Sequence, residues 1–236
     1  MLYNAGMQPL SSVRSQPLTL SRSTEAQVYL LFAIAMGLTL IGVFIGIMNA
    51  ALLLRSGVLL LCVIAELAII FTSRLWMNSS PLNYLLFALF PLLSGFTFTP
   101  YLLSVLAGYV NGSAILLNAA LATVFLSLAA AVFARTTSWD MSSMGRGLFL
   151  ALLGLLILSI LQIFFVSLRS QGSELIISGF GVVLFAFFIA FDLQRIQAMG
   201  RAGTNPFLLA LSLYLDIFNV FMYILRFMLA LSGNRR

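Results

Sequence analysis

Five polar residues recur at helical spacing in the last apolar block of the chain: Ser212, Asp216, Asn219, Tyr223 and Arg226, separated by 4, 3, 4 and 3 positions. At about 100° per residue all five fall within an arc of roughly 80°, and the other faces are Leu, Ile, Phe, Val and Met. Such a stripe points inward, either at a site or pathway or at neighbouring helices that it hydrogen-bonds. Asp216 stands apart, because packing does not require a charge. A second acid, Asp192, follows the apolar run Phe-Ala-Phe-Phe-Ile-Ala-Phe, and its simplest partner is Arg195 at i+3. The two blocks are joined by a short connection near residues 200–203, so their helices should be antiparallel neighbours that carry Asp192 and Asp216 to similar depth. Two carboxylates in a poorly hydrated site cannot both ionise cheaply; they share a proton and titrate as a pair. Such a pair is a proton switch. When ionised it also offers hard oxygen ligands to Ca2+, the remaining ligands coming from water or backbone.

Other polar residues are placed to support this pair. Cys62, Glu66 and Ser73 share one helical face, with Arg74 next in sequence, so Glu66 either completes an acidic lining or pairs with an arginine such as Arg74 as a gate or counter-charge. Ser94, Thr97 and Tyr101 recur at 3 and 4 spacing between Pro91 and Pro100, where kinks would open the backbone toward a cavity or serve packing. The segment 136–145 reads as a loop with helix-cap chemistry. Cys62 reads as a buried small hydrophobe.

The elements that hold these residues follow from composition. Of 236 residues, 62% are hydrophobic and 8% charged, with a mean hydropathy of +1.11. A soluble domain does not have that composition; an integral membrane protein does. There is no His or Lys and a single Cys, which excludes a His/Cys zinc site, a Ser-His-Asp triad, a disulfide framework and a lysine Schiff base. The net charge of +6 is spread thinly between apolar blocks, which points to an anionic membrane face and not to nucleic acid. A bilayer core of about 30 Å takes about 20 apolar residues per helix. Seven blocks qualify, at 28–53, 57–73, 82–108, 113–134, 147–168, 174–195 and 206–231. Residues 1–26 read as a polar, flexible tail and 27–236 as one seven-helix domain. The arginines and serines of the tail also fit a transit peptide.

With seven spans and a cytoplasmic N-terminus, the inner side carries Arg14, Arg22, Arg74, Arg135, Arg146, Arg195 and Arg201, against Arg55, Arg169, Arg235 and Arg236 outside. That bias favours the inner N-terminus. Six spans with a re-entrant last segment would return Arg235 and Arg236 inside, so the side of the C-terminus stays open.

Three stretches carry a resemblance: Ala-Leu-Ser-Leu-Tyr-Leu-Asp-Ile-Phe-Asn-Val-Phe at 210–221, Ile-Leu-Arg-Phe at 224–227 and Phe-Asp-Leu-Gln-Arg-Ile at 191–196. Together they resemble the Bax inhibitor family of transmembrane Bax-inhibitor-motif proteins, bacterial members most of all. The Trp-Asp-Met-Ser loop at 139–142, the Glu66 helix and the Ser94-Gly95 helix look like the matching family segments, so the likeness covers roughly 25–236. It implies an all-α fold of seven transmembrane helices with the last one central and six packed around it. It also implies a pH-sensitive calcium leak gated by a carboxylate pair, here Asp192 and Asp216. Two positions depart from the pattern. Phe191 stands where Tyr commonly precedes the acid, and Arg74 lies about a helical turn from the expected latch arginine.

The expectation is therefore a Ca2+ leak channel or proton-coupled carrier with no cofactor, working with lipid, Ca2+ and protons in a bacterial inner membrane, an organelle membrane being the alternative. The rival is a non-transporting regulator that binds a membrane protease or a cell-death or stress protein, for which the tail could serve. Paired membrane aspartates also describe an intramembrane protease. That enzyme needs a Gly-x-Gly-Asp context, and Leu213-Tyr214-Leu215 precedes Asp216 instead, so no enzyme is expected.

Overall fold

A computed structural model describes residues 24–53, 57–165, 168, 170–201 and 205–233. Lipid offers no partner to an open backbone, and apolar runs of this length close into helices. Helix α1 spans Thr24–Met48 and continues after Asn49 as α2, Ala50–Leu53. Then come α3 (Val58–Phe71), α4 (Ser73–Trp76), α5 (Leu82–Gly108) and α6 (Gly112–Thr136). A 3₁₀ turn at Met141–Met144 leads into α7 (Gly145–Phe164), α8 (Gln171–Arg201) and α9 (Pro206–Ser232). No β-strand occurs among the described residues. The expected tail lies outside them apart from its last three residues, which already belong to α1.

Six stretches are long and apolar enough to cross a bilayer: α1, α5, α6, Met141–Gln162, Gln171–Ala198 and α9. The second block is the exception to the expected seven, because α3 is an apolar helix of only 14 residues. Thr72 interrupts it by returning its hydroxyl to Ala68 O at 2.6 Å, and the Trp76 indole N–H reaches back from α4 to bond Ile69 O at 3.0 Å, tying the two segments together. At the other end of the chain, α9 is one continuous helix of 27 residues, so the re-entrant alternative is set aside. Asn205 caps α9 by accepting from Phe207 N at 2.9 Å, Pro206 occupies the first turn where no donor is needed, and Gly233 closes the helix at φ 54°.

The last helix is also the most enclosed. Of its apolar window 56% is buried, against 11 to 39% in the other five long spans. Leu209, Ala210, Tyr214, Val220 and Leu225 are fully buried along it. α1, α5, α6 and α8 pack on it, while α3 rests on α5 and α7 on α8, so the outer helices form a partial second shell and not a ring of six. Small residues let α1 and α5 approach closely. A Cβ on Gly42 would lie 2.0 Å from Leu92 O, and one on Gly95 2.0 Å from Thr39 O. Backbone contact of this kind replaces the hydrophobic drive that lipid removes.

Candidate functional site

Asp192 projects from α8 and Asp216 from α9, and both are buried, at 2% and 6% exposure. α8 ends at Arg201 and α9 begins at Pro206, so the two packed helices run antiparallel, with Asp192 nine residues before the one end and Asp216 ten after the other. The two carboxyl groups lie close enough to interact electrostatically, and Ser212, one turn before Asp216, lies beside Asp192. Arg195 approaches Asp192 only at 3.8 Å, with its side chain 31% exposed. Oδ2 of each aspartate is buried without a hydrogen-bond donor from the protein. Two acceptors facing each other without a donor repel unless a proton or a cation lies between them, and a buried carboxylate left otherwise is costly.

The rest of the expected stripe divides. Asn219 returns its amide to Leu215 O at 2.8 Å within its own helix, which is a packing bond. Tyr223 stacks on Phe185, ring centroids 5.6 Å apart, and lies over Gly181, where any Cβ would strike its ring. Arg226 does not reach the aspartates. Ten residues beyond Asp216, or about 15 Å along the helix, it pairs with Glu174 of α8 at 2.9 Å and lies 5.5 Å from the Tyr223 ring centroid. One face of α9 thus serves two places, an acid pair near one end and an ion pair near the other. Periodicity identifies a face, but it cannot say which neighbour meets each turn.

The expected link between Glu66 and Arg74 is not made. Arg74 is exposed on α4, whereas Glu66 accepts from Thr97 at 2.7 Å and from Ser94 at 3.3 Å on α5. Ser94 lies near the Tyr214 hydroxyl, which meets Thr39 of α1 at 2.8 Å. A transverse line of polar groups therefore runs from α3 through α5 and α9 to α1. Thr97 and Ser94 were visible as a polar face. Their partner was not, because Glu66 and the α5 hydroxyls lie about 30 positions apart. Cys62 is half-buried and free.

Two amides missed by the sequence reading tie down the end of the bundle that holds the acids. Gln194 accepts from Met141 N at 3.0 Å and donates to Trp139 O at 3.0 Å and Ala134 O at 3.3 Å, fastening the α6–α7 loop to α8. Asn205 donates to Met77 O and to the Asn78 side chain, both at 2.7 Å. The loop behaves as its composition predicts, with Asp140 accepting from Ser142 N at 2.9 Å. The Ser142 side-chain and backbone donors hold the exposed Asp140 carboxyl below the usual carboxylate range. No cluster of three or more His, Cys, Asp or Glu side chains occurs among the described residues, so a Ca2+ ion at the acid pair would draw most of its ligands from water and backbone.

Residues 21–234 match the family described as Bax1-I, inhibitor of apoptosis-promoting Bax1. The uncharacterized protein Cj0236c of Campylobacter jejuni is 34% identical over 229 residues, covering 94% of this chain and 96% of its own. A Helicobacter pylori protein is 33% identical over 198 residues, covering 84% and 82%. The inner membrane protein YbhL of Escherichia coli K12 is 30% identical over 243 residues, covering 97% and 98%.

Proposed function

The chain belongs to the Bax inhibitor family, in an integral membrane protein of the bacterial inner-membrane type, and on that premise we propose that it is a pH-sensitive leak path for Ca2+, a channel or a proton-coupled carrier. The aspartate pair is its proton switch. The observation that carries the reading is the meeting of two buried carboxyl groups, each with an oxygen that no donor of the protein satisfies. One shared proton satisfies both oxygens and binds α8 to α9. Loss of that proton leaves two facing negative charges, which are relieved by separation of the helices or by a divalent cation. Protons and Ca2+ therefore compete for one place, and Ca2+ occupancy rises as pH rises.

In this reading the structure is the closed form. Between the acid pair and the Glu174–Arg226 ion pair, α8 and α9 meet through the stacked rings of Phe185 and Tyr223, with Phe188 against Phe185. Opening requires these rings and the Gln194 clamp to yield together. The helix α3, continued by Thr72 and α4, counts as a seventh span in the open and closed forms alike.

The test is Ca2+ flux into liposomes holding the purified protein, measured across about pH 5 to 8 for wild type, Asp192→Asn and Asp216→Asn. The expected result is a wild-type flux that changes with pH and two variants whose profiles are flat. Dependence on an imposed proton gradient then identifies a carrier, and its absence a channel. No flux above empty liposomes from folded protein overturns the reading in favour of a non-transporting regulator, the role that the family's description as an inhibitor favours.

A further inference from the structure

A cavity of about 650 Å³ lies between α1 and α6, with Leu193 and Ile217, the sequence neighbours of Asp192 and Asp216, in its lining; its form does not depend on the function proposed for that pair. Its floor includes Ile217, Phe218 and Phe221 of α9, and its walls run along residues 29–43 of α1 and 120–131 of α6. At 1.5 Å per residue those walls are about 21 and 16 Å long, close to the roughly 15 Å depth of one leaflet's hydrocarbon. The lining is almost wholly apolar, so water has few partners there. The wall helices are lipid-facing along their outer sides, with Leu40, Val124 and Leu128 at the rim all exposed.

One end of this crevice is polar. One turn beyond Tyr29 stands Glu25, and one turn beyond Ala131 stands Arg135. The two pair across the mouth at 3.4 Å, and the Tyr29 hydroxyl donates to Glu25 at 3.2 Å. The pair is loose, with side chains 60% and 37% exposed, so the guanidinium keeps unused donors and the carboxylate unused acceptor sites. An apolar slot one leaflet deep, with one cation and one anion at its mouth, has the form of a seat for a single membrane lipid.

We propose that a phospholipid with a zwitterionic phosphoethanolamine headgroup occupies this crevice. One acyl chain lies between α1 and α6, its phosphate on Arg135 and its ammonium on Glu25. The charges at the mouth sum to zero, which matches a headgroup of one phosphate and one ammonium. A headgroup with a phosphate alone would leave Glu25 unmatched and repelled.

The test is native mass spectrometry of the full chain released from nanodiscs made of equal parts phosphatidylethanolamine and phosphatidylglycerol. Wild type is expected to retain one phosphatidylethanolamine. Ser127→Leu and Ala131→Phe fill the slot, and Ser127→Leu breaks no bond because its buried hydroxyl has no partner; each should lower retention by about tenfold or more. Glu25→Gln makes the mouth net positive and should turn the preference toward phosphatidylglycerol, a reversal that a purely structural role for Glu25 does not produce. Size-exclusion profiles and circular dichroism establish that each variant is folded, and Glu25→Gln keeps an acceptor for the Tyr29 hydroxyl. Equal retention of the two lipids, retention unchanged in both filled variants, or no retained lipid overturns the proposal. So does another occupant, seen as a prenyl quinone or as the mass of a second copy.

Discussion

A single amide, Gln194, two residues after Asp192, holds two backbone groups of the α6–α7 connection and one at the end of α6. Gln194→Ala removes all three bonds and leaves the Met141 N–H, on a fully buried residue, without its acceptor. A lost buried partner costs about 1–3 kcal/mol, so thermal stability in detergent should fall and Met141 amide exchange should rise, with little change far away on α3. Asp140, in the same loop, responds to pH. Its carboxyl is held below its ordinary range by bonds present only in the folded loop, so it stabilises the loop at neutral pH, and that contribution is lost as pH falls through the lowered value. Exchange protection of the Ser142 amide, corrected for intrinsic rate, should be flat above about pH 4 and decline below it. Asp140→Asn keeps the cap and loses the pH dependence; Asp140→Ala loses protection at every pH. At this scale the acid pair was legible because an acid inside an apolar block is costly enough to need a purpose, and two such acids flank one short turn. Arg226 and Glu66 were equally conspicuous, yet their partners were not legible. A long side chain chooses among helices that only the tertiary packing brings near.

The helices were legible because each apolar run is long and bounded by polar separators. Their depth of contact was not, since it depends on glycine. Gly42 and Gly46, four residues apart on α1, meet Leu92 and Thr99 on α5, and Gly95 of α5 meets Thr39 of α1. Thr99 is fully buried there and donates to Gly95 O at 3.0 Å. Because a Cβ at Gly95 would overlap the Thr39 carbonyl, any side chain there must push α1 and α5 apart. Thr39 would move with α1 and lose its bond to Tyr214. Overpacking in a formed core costs about 1–3 kcal/mol, and displaced backbone raises that figure. Gly95→Leu should therefore lower the unfolding midpoint in detergent and weaken the α1–α9 contact, read as a longer spin-label distance between the two helices. Gly37 and Gly154 have open space where a Cβ would stand, so Gly37→Ala and Gly154→Ala should be silent in both measurements. A sequence of small residues marks a close approach only when the partner is known, and this is why the α1–α5 crossing appeared first in the structure.

At the scale of the whole molecule the structure makes a prediction about parity. A continuous α9 crosses the bilayer, and so do α1, α5, α6, the Met141–Gln162 stretch and α8. The sides of the two termini then depend on α3 and α4 alone. Residues 58–76 number nineteen, and at 1.5 Å each they reach about 28 Å, close to the roughly 30 Å of the hydrocarbon core. By itself α3 reaches only about 21 Å. Arg74 is exposed near the end of α4, where it can lie among headgroups. That placement puts the Arg74 end of α4 and the Arg135–Glu25 mouth on the same side of the membrane, with Glu174 and Arg226 on the other. Such an arrangement requires α3 and α4 to cross as one unit. Reporter fusions active on only one side of the membrane, joined before Thr24 and after Ser232, should therefore report opposite sides. If both report the same side, α3 and α4 do not cross; α5 and α6 still cross once each, so Arg135 stays on the Arg74 side while Glu25 falls on the other, and the Glu25–Arg135 pair at 3.4 Å is not formed.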